Sequence, residues 1–257
     1  MPSAEFRVPS PALSALGTRH SALTMPHTGP ILDGQGDTDY ERYVRLPELL
    51  ALQKKTEELA HPEERLFQTT HQAAELWLHQ VDYEIDRAAE MIHDDQPHIA
   101  ADLLNRCRLI IDLLREQIII IETMAPADYH VIRLASLGRG SGQESPGFNK
   151  LLNAGRRLWP GFQQMLQRHS VTLIELERSP RDRYDLFRLA QAMMDYDEAF
   201  MKWRFTHMRL AFRIIGSRVL SLKGVPASQL ESGTREPLFP ELWDAISALT
   251  DEHKPTY

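Results

Sequence analysis

One cysteine in 257 residues, Cys107, leaves no partner for an internal disulfide and too few thiolates for a cysteine-rich zinc site. A reducing compartment suits such a chain, and the cytoplasm is the expected location. Long hydrophobic runs are missing too. The longest, residues 109–121, is interrupted by Asp112, Arg115 and Glu116, so nothing approaches the roughly 20 apolar residues of a membrane span. The N-terminal residues mix Pro, Ser and His and lack the charged and apolar regions of a signal peptide. Basic charge is not in excess. The net charge is -7, with Lys and Arg scattered among acids, which leaves no basic stripe for a phosphate backbone and argues against nucleic acid as a partner. A nucleophile elbow, a P-loop and a strand ahead of the glycine-rich segment are all lacking, which removes serine hydrolase, NTPase and dinucleotide-binding readings.

What is present is helical periodicity. Residues 1–36 hold Pro2, Pro9, Pro11, Pro26, Pro30, Gly29, Gly34 and Gly36 and read as a flexible tail. Residues 37–257 read as a single all-α domain. One short helix is predicted from Leu46, with Pro47 in its first turn and His61-Pro62 at its end. A long amphipathic helix is predicted over Glu63 to His93, where Leu66, Phe67, Thr70, Ala74, Trp77, Leu78 and Val81 recur at helical spacing. A second covers about Pro97 to Met124 and pairs with it antiparallel, with Pro126 as the stop. A third spans Arg181 to Arg218 and is apolar around much of its circumference, which predicts a deep position. Gly138 to Gly147 is a loop whose backbone can approach a ligand closely.

Three residues carry candidate chemistry. His71 follows Phe67 by one turn, on the face that also holds Ala74 and Leu78, so its imidazole sits among apolar groups. It can act as base, hydrogen-bond partner or ligand, or be a satisfied core histidine. His207 follows Trp203 by one turn, the arrangement in which a helix presents an axial haem ligand beside an aromatic wall, with a structural histidine as the alternative. Arg133 precedes the glycine-rich loop, where a guanidinium suits bidentate capture of a carboxylate or a surface ion pair. A di-iron reading of Glu58–His61 and Glu90–His93 is weakened by Pro62, which disfavours helical geometry at His61.

Four stretches read in order resemble the tryptophan 2,3-dioxygenase superfamily of haem-dependent aromatic oxygenases: Tyr40-Glu41-Arg42-Tyr43-Val44-Arg45-Leu46; residues 66–77, Leu66-Phe67-Gln68-Thr69-Thr70-His71-Gln72-Ala73-Ala74-Glu75-Leu76-Trp77; Glu122-Thr123-Met124-Ala125-Pro126-Ala127-Asp128-Tyr129; and Lys202-Trp203-Arg204-Phe205-Thr206-His207. The resemblance implies an all-α bundle of long antiparallel helices enclosing haem b, with O2 as co-substrate at ferrous iron. By the same resemblance His207 is the axial ligand, with Trp203 and Phe67 against the haem. His71 is the catalytic histidine facing the indole nitrogen, Phe67, Tyr40 and Tyr43 wall the indole pocket, and Arg133 binds the substrate carboxylate. Ser141, Gly142 and Ser221 complete the substrate contacts, Ser221 standing at the family's threonine position. The implied substrate is a small indole amino acid, L-tryptophan or a substituted relative such as β-methyltryptophan, and the implied assembly a homo-oligomer, dimer or tetramer.

The chain departs from the pattern in three places. Where the family has Ala-Ser-Gly-Phe-Gln-Ser, this chain reads Gly140-Ser141-Gly142-Gln143-Glu144-Ser145 and loses the aromatic residue. The family's second glycine-rich loop becomes Leu220-Ser221-Leu222-Lys223-Gly224-Val225-Pro226. The span between Phe148 and Trp203 is also shortened. Two products are therefore open: ring cleavage by dioxygenation to an N-formylkynurenine type, or monooxygenation to a 2-oxindole, as suits natural-product biosynthesis. A non-enzymatic helical haem-binding or interaction protein is the remaining alternative. Joint retention of Phe67, His71, Arg133 and His207 argues against it.

Overall fold

The computed structural model describes residues 29–254 apart from 139, 141 and 220–228, and these form two compact units, one ending at Leu52 and one starting at Gln53. Up to residue 28 the predicted tail lies outside the described residues, as do Ser141 and Ser221. No strand occurs among the described residues, and the chain is all-α. No helix among them is long and apolar enough to cross a membrane.

The first unit contains α1 (Asp39–Val44) and α2 (Leu46–Leu50). Thr38 and Glu41 form a reciprocal capping box at the start of α1. Asp39 accepts the Ile31 and Leu32 backbone N–H groups at 2.7 and 2.8 Å, and Arg42 donates to the Leu32 and Gly36 carbonyls, so these side chains tie down the strand-free segment before α1. The helix predicted from Leu46 starts there, as α2 with Pro47 in its first turn, but ends at Leu50 rather than at His61-Pro62, and a separate 3₁₀ turn follows over Thr56–Glu58. Helix α1, ahead of it, was not predicted and is ended by the left-handed Arg45 (φ 53°).

The second unit is built on three long helices, α3 (Glu64–His93), α4 (Pro97–Ile119) and α9 (Tyr184–Ile215), with shorter helices α5 (Pro126–Ala135), α6 (Pro146–Leu151), α7 (Ala154–Arg168), α8 (Leu173–Arg178), α10 (Gln229–Gly233) and α11 (Pro240–Glu252). Of the stripe predicted on α3, Thr70, Leu78 and Val81 are buried, Leu66, Phe67 and Ala74 half-buried and Trp77 exposed, and the burial continues through Ile85 and Ile92; on α4, Leu104, Cys107, Ile111 and Leu114 are essentially inaccessible. Helix α4 packs between α3 and α9, and α7 closes over α3 with Leu158, Phe162 and Met165. Pro126, read as a stop, is the first residue of α5. Helix α4 tightens into a 3₁₀ turn over Ile120–Thr123 before it. A proline without an N–H both ends one helix and fits the first position of the next.

Buried charges fasten this frame. Asp197 on α9 is fully buried and accepts three hydrogen bonds, from the backbone N–H of Leu238 (2.9 Å) and Phe239 (3.2 Å) and from Trp243 Nε1 (3.0 Å). It thereby docks the start of α11 onto α9. Gly155 of α7 allows this approach from the other side, since a Cβ there would stand 2.3 Å from the Leu238 carbonyl oxygen. Glu84, 1% exposed, takes Arg106 and Arg87 at 2.8 Å each and Gln80 at 2.8 Å. Burial pushes its pKa up, but Arg106, Gln80 and Arg87 outweigh burial and hold it below the ordinary glutamate value.

Two outcomes follow. Asp197→Ala strands three donors at once and should destabilise the protein by about 3 kcal/mol or more, read from denaturant midpoints. A carboxylate with a depressed folded pKa stabilises above its unfolded value, near 4.3, and loses that contribution as pH falls through the folded value. Stability should therefore drop below about pH 4, and Arg106→Gln should lower stability at neutral pH while shrinking the acid-side drop.

Candidate functional site

The second unit encloses a cavity of about 660 Å³, within the roughly 300–1,000 Å³ of small-molecule and cofactor sites, and its lining is mainly apolar. Helices α3, α5 and α9 supply much of its wall at helical spacing, with Leu114, Gln117 and Ile118 of α4 beside them. Phe67, Thr70, His71, Ala74 and Glu75 come from α3. Trp203, His207, Leu210, Ala211 and Ile214 come from α9, and Tyr129, Ile132 and Arg133 from α5. Gly140, Gly142, Ser145 and Phe148 close another side, and Lys54 with Glu64 marks a polar end.

His207 owes its setting to α9. Its ring lies nearly parallel to Trp203, with centroids 5.1 Å and planes 9° apart, and Trp203 in turn stacks on Phe148 at 3.7 Å. Part of the imidazole stays accessible, as in any residue lining a cavity. Burial lowers its pKa to about 4, with a smaller contribution from His71. The ring is thus neutral near neutral pH, the form that ligates a metal.

His71 lies on α3 with its ring 4.1 Å from that of Phe67. By area it is exposed, because it borders the cavity, yet protein packs closely enough around it that desolvation lowers its pKa, against opposing effects from the Phe67 carbonyl and Glu75. Its Nδ1 is 2.7 Å from the Phe67 carbonyl oxygen. A carbonyl only accepts, so Nδ1 carries the proton and Nε2 of the neutral ring is left as an acceptor.

At the polar end Lys54 Nζ donates to Glu64 Oε1 (2.5 Å) and Ser136 Oγ (3.2 Å), while Glu64 Oε2 accepts the Ala60 N–H (2.7 Å). Glu64 is pushed up by burial, and its partners, Lys54 first, bring it below the usual range. Tyr129, one turn before Arg133, has its phenol pKa raised by burial and packs on Phe67 at 5.7 Å.

Phe67, His71, Arg133, Gly142, Trp203 and His207, all singled out from sequence, meet at this one cavity. Tyr40 and Tyr43 lie on α1 of the first unit, 71% and 80% exposed. Glu75, Tyr129, Phe148, Lys54 and Glu64 were not anticipated. Glu75 and Tyr129 stand one turn from His71 and Arg133, a signal that helical spacing offered; Phe148 and Lys54 had none, since only folding brings them to the wall.

These residues fit a haem. The cavity is large and apolar, and it offers a neutral imidazole from a rigid helix with a parallel aromatic ring fixing that imidazole's plane. Residues 27–158 match the family described as tryptophan 2,3-dioxygenase. Among relatives, the tryptophan 2,3-dioxygenases of Erythrobacter litoralis and Caulobacter vibrioides are each 28% identical, over 83% of this chain and 99% of those proteins. That of Bacillus cereus is 25% identical, over 84% of this chain and 95% of that protein. A match across half the chain that contains the His71 motif, joined to a cavity walled by His71 and His207, makes this chain a member of the tryptophan 2,3-dioxygenase family, an oxidoreductase with haem b as cofactor and dioxygen as co-substrate.

Proposed function

We propose that the protein adds dioxygen across the indole C2=C3 bond of L-tryptophan, or of a substituted tryptophan such as the β-methyl form, to give an N-formylkynurenine-type product. The observation that carries this reading is the pair of imidazoles on one apolar cavity, one neutral by burial and one with its acceptor nitrogen free. Haem would be held by His207 and would supply dioxygen activation; the chain's own side chains do the rest. Trp203, parallel to His207, and Phe67 would flank the cofactor, and Phe67 packed with Tyr129 would wall the indole. His71 Nε2 accepts the indole N–H, which orients the ring without demanding full deprotonation of a weak acid. Arg133 pairs with the substrate carboxylate and fixes the pose. The apolar lining of the cavity limits the water around the bound ring.

Ser141, Gly142 and Ser221 complete the substrate contacts in this proposal, and Tyr40 and Tyr43 wall the indole side, in cis or from a neighbouring copy. An exposed apolar stripe of Leu109, Leu113 and Ile120, 53%, 45% and 48% exposed, supports a homo-oligomer, dimer or tetramer. Residues 37–257 act as one oxygenase domain in the cytoplasm.

A second reading is monooxygenation to a 2-oxindole in natural-product biosynthesis. It is favoured by the loss of the family's aromatic residue, which falls at Gln143, from a segment that borders the cavity through Gly140, Gly142, Glu144 and Ser145. Mass spectrometry of products formed under labelled dioxygen separates the two. Two labelled oxygens in a ring-opened product are expected; one in an intact bicyclic product establishes the second reading and contradicts the first.

His71→Ala should keep haem and lose about tenfold to a hundredfold in kcat/KM, matching the roughly 1–3 kcal/mol of an unpaired buried donor. Arg133→Ala should keep haem and raise KM by at least about thirtyfold, since truncating one partner of a buried charge pair costs about 2–5 kcal/mol. Unchanged turnover in both variants removes these site assignments.

A further inference from the structure

Glu75 lines the cavity one helical turn after His71. Its carboxylate accepts the Ser145 hydroxyl and, at 3.2 Å, the Gly147 backbone N–H. Ser145 Oγ also accepts the Phe148 N–H at 3.2 Å, so one carboxylate on α3 sets the first turn of α6. That turn is pressed onto α3: a Cβ on Gly147 would stand 2.5 Å from Leu78 Cβ and 2.9 Å from Glu75 Oε2, so only glycine lets the backbone come this close. The residue placed by this turn is Phe148. Its ring stacks on Trp203 at 3.7 Å, and Trp203 lies parallel to His207.

We propose that Glu75 is a positioning residue for the haem's axial histidine, acting through Ser145, Gly147, Phe148 and Trp203 to fix the plane of the His207 ring. This rests on His207 being the ligand. The physical case is that an imidazole on a helix can still turn about its Cβ–Cγ bond, a broad torsion, and the flat face of Trp203 is what limits it. Trp203 is held by Phe148, and Phe148 by a hydrogen-bonded turn whose acceptor sits next to the catalytic histidine on the same face of α3. The two histidines on the cavity are thereby joined by a contiguous set of contacts.

The test is the iron–histidine stretching band of the ferrous haem protein, read by resonance Raman. Glu75→Ala, Ser145→Ala and Phe148→Leu should each shift the band, and Glu75→Gln, which keeps an acceptor oxygen for Ser145, should return it towards wild type. The Ser145→Ala/Phe148→Leu double variant should shift it no further than the larger single change, because both cut one chain of contacts. Arg106→Gln, which loosens α3 against α4 elsewhere, should leave the band in place. An unmoved band in haem-loaded Ser145→Ala and Phe148→Leu, additive shifts in the double variant, or an equal shift in Arg106→Gln overturns the proposal while leaving His207 as ligand. A wild-type protein without such a band overturns the ligand reading itself, and the proposal with it.

Discussion

Placing an imidazole at the wall of an apolar cavity removes the water that would otherwise solvate its charged form, and the arrangement of α9 follows from that. His207 is driven to its neutral state by burial, and a neutral ring in such a place needs an electron-pair acceptor more than a proton. The helix must then hold the ring steady. Tyr196, Phe200 and Trp203 precede His207 on α9, all buried, with Phe200 and Trp203 stacked at 6.3 Å and Trp203 parallel to His207. A ring held on a rigid helix, rather than on a loop, meets the positional tolerance that the proposed ligand role sets.

Several buried charges lie away from the cavity and are satisfied where they lie. Glu84 is enclosed by Arg87 and Arg106, Asp82 by Lys150 and Arg157, and Asp197 by the donors of the C-terminal segment. Each pins a different helix pair: α3 to α4, α3 to α6 and α7, and α9 to α11. At the cavity itself the charges are paired with fixed partners, as Glu64 is with Lys54 and Glu75 with the Ser145 turn. The cavity wall thus carries oriented donors and acceptors.

The long helices α3, α4 and α9 were legible because a sustained apolar stripe at 3.6-residue spacing has no other stable use in a chain this size. Breaks in the short helices were less so. A left-handed Arg45 leaves no mark in composition, and Pro126 can end a helix or begin one with equal local comfort. His71 and His207 stood out because each lies one turn from an aromatic residue on the same helix, so sequence spacing alone puts the pairs together. Glu75's partnership with Ser145 crosses 70 positions, and Phe148's with Trp203 joins two helices; contacts of that kind belong to the tertiary fold and have no periodicity to betray them.

The central claim is that His207 holds the haem, and imidazole rescue tests it most directly. Haem-free wild-type protein titrated with haemin should develop a Soret band at stoichiometric haem, His207→Ala should not, and His207→Ala with free imidazole, which occupies the space the side chain vacates, should regain it. A His207→Ala protein that takes up haem as tightly as wild type without imidazole contradicts the account.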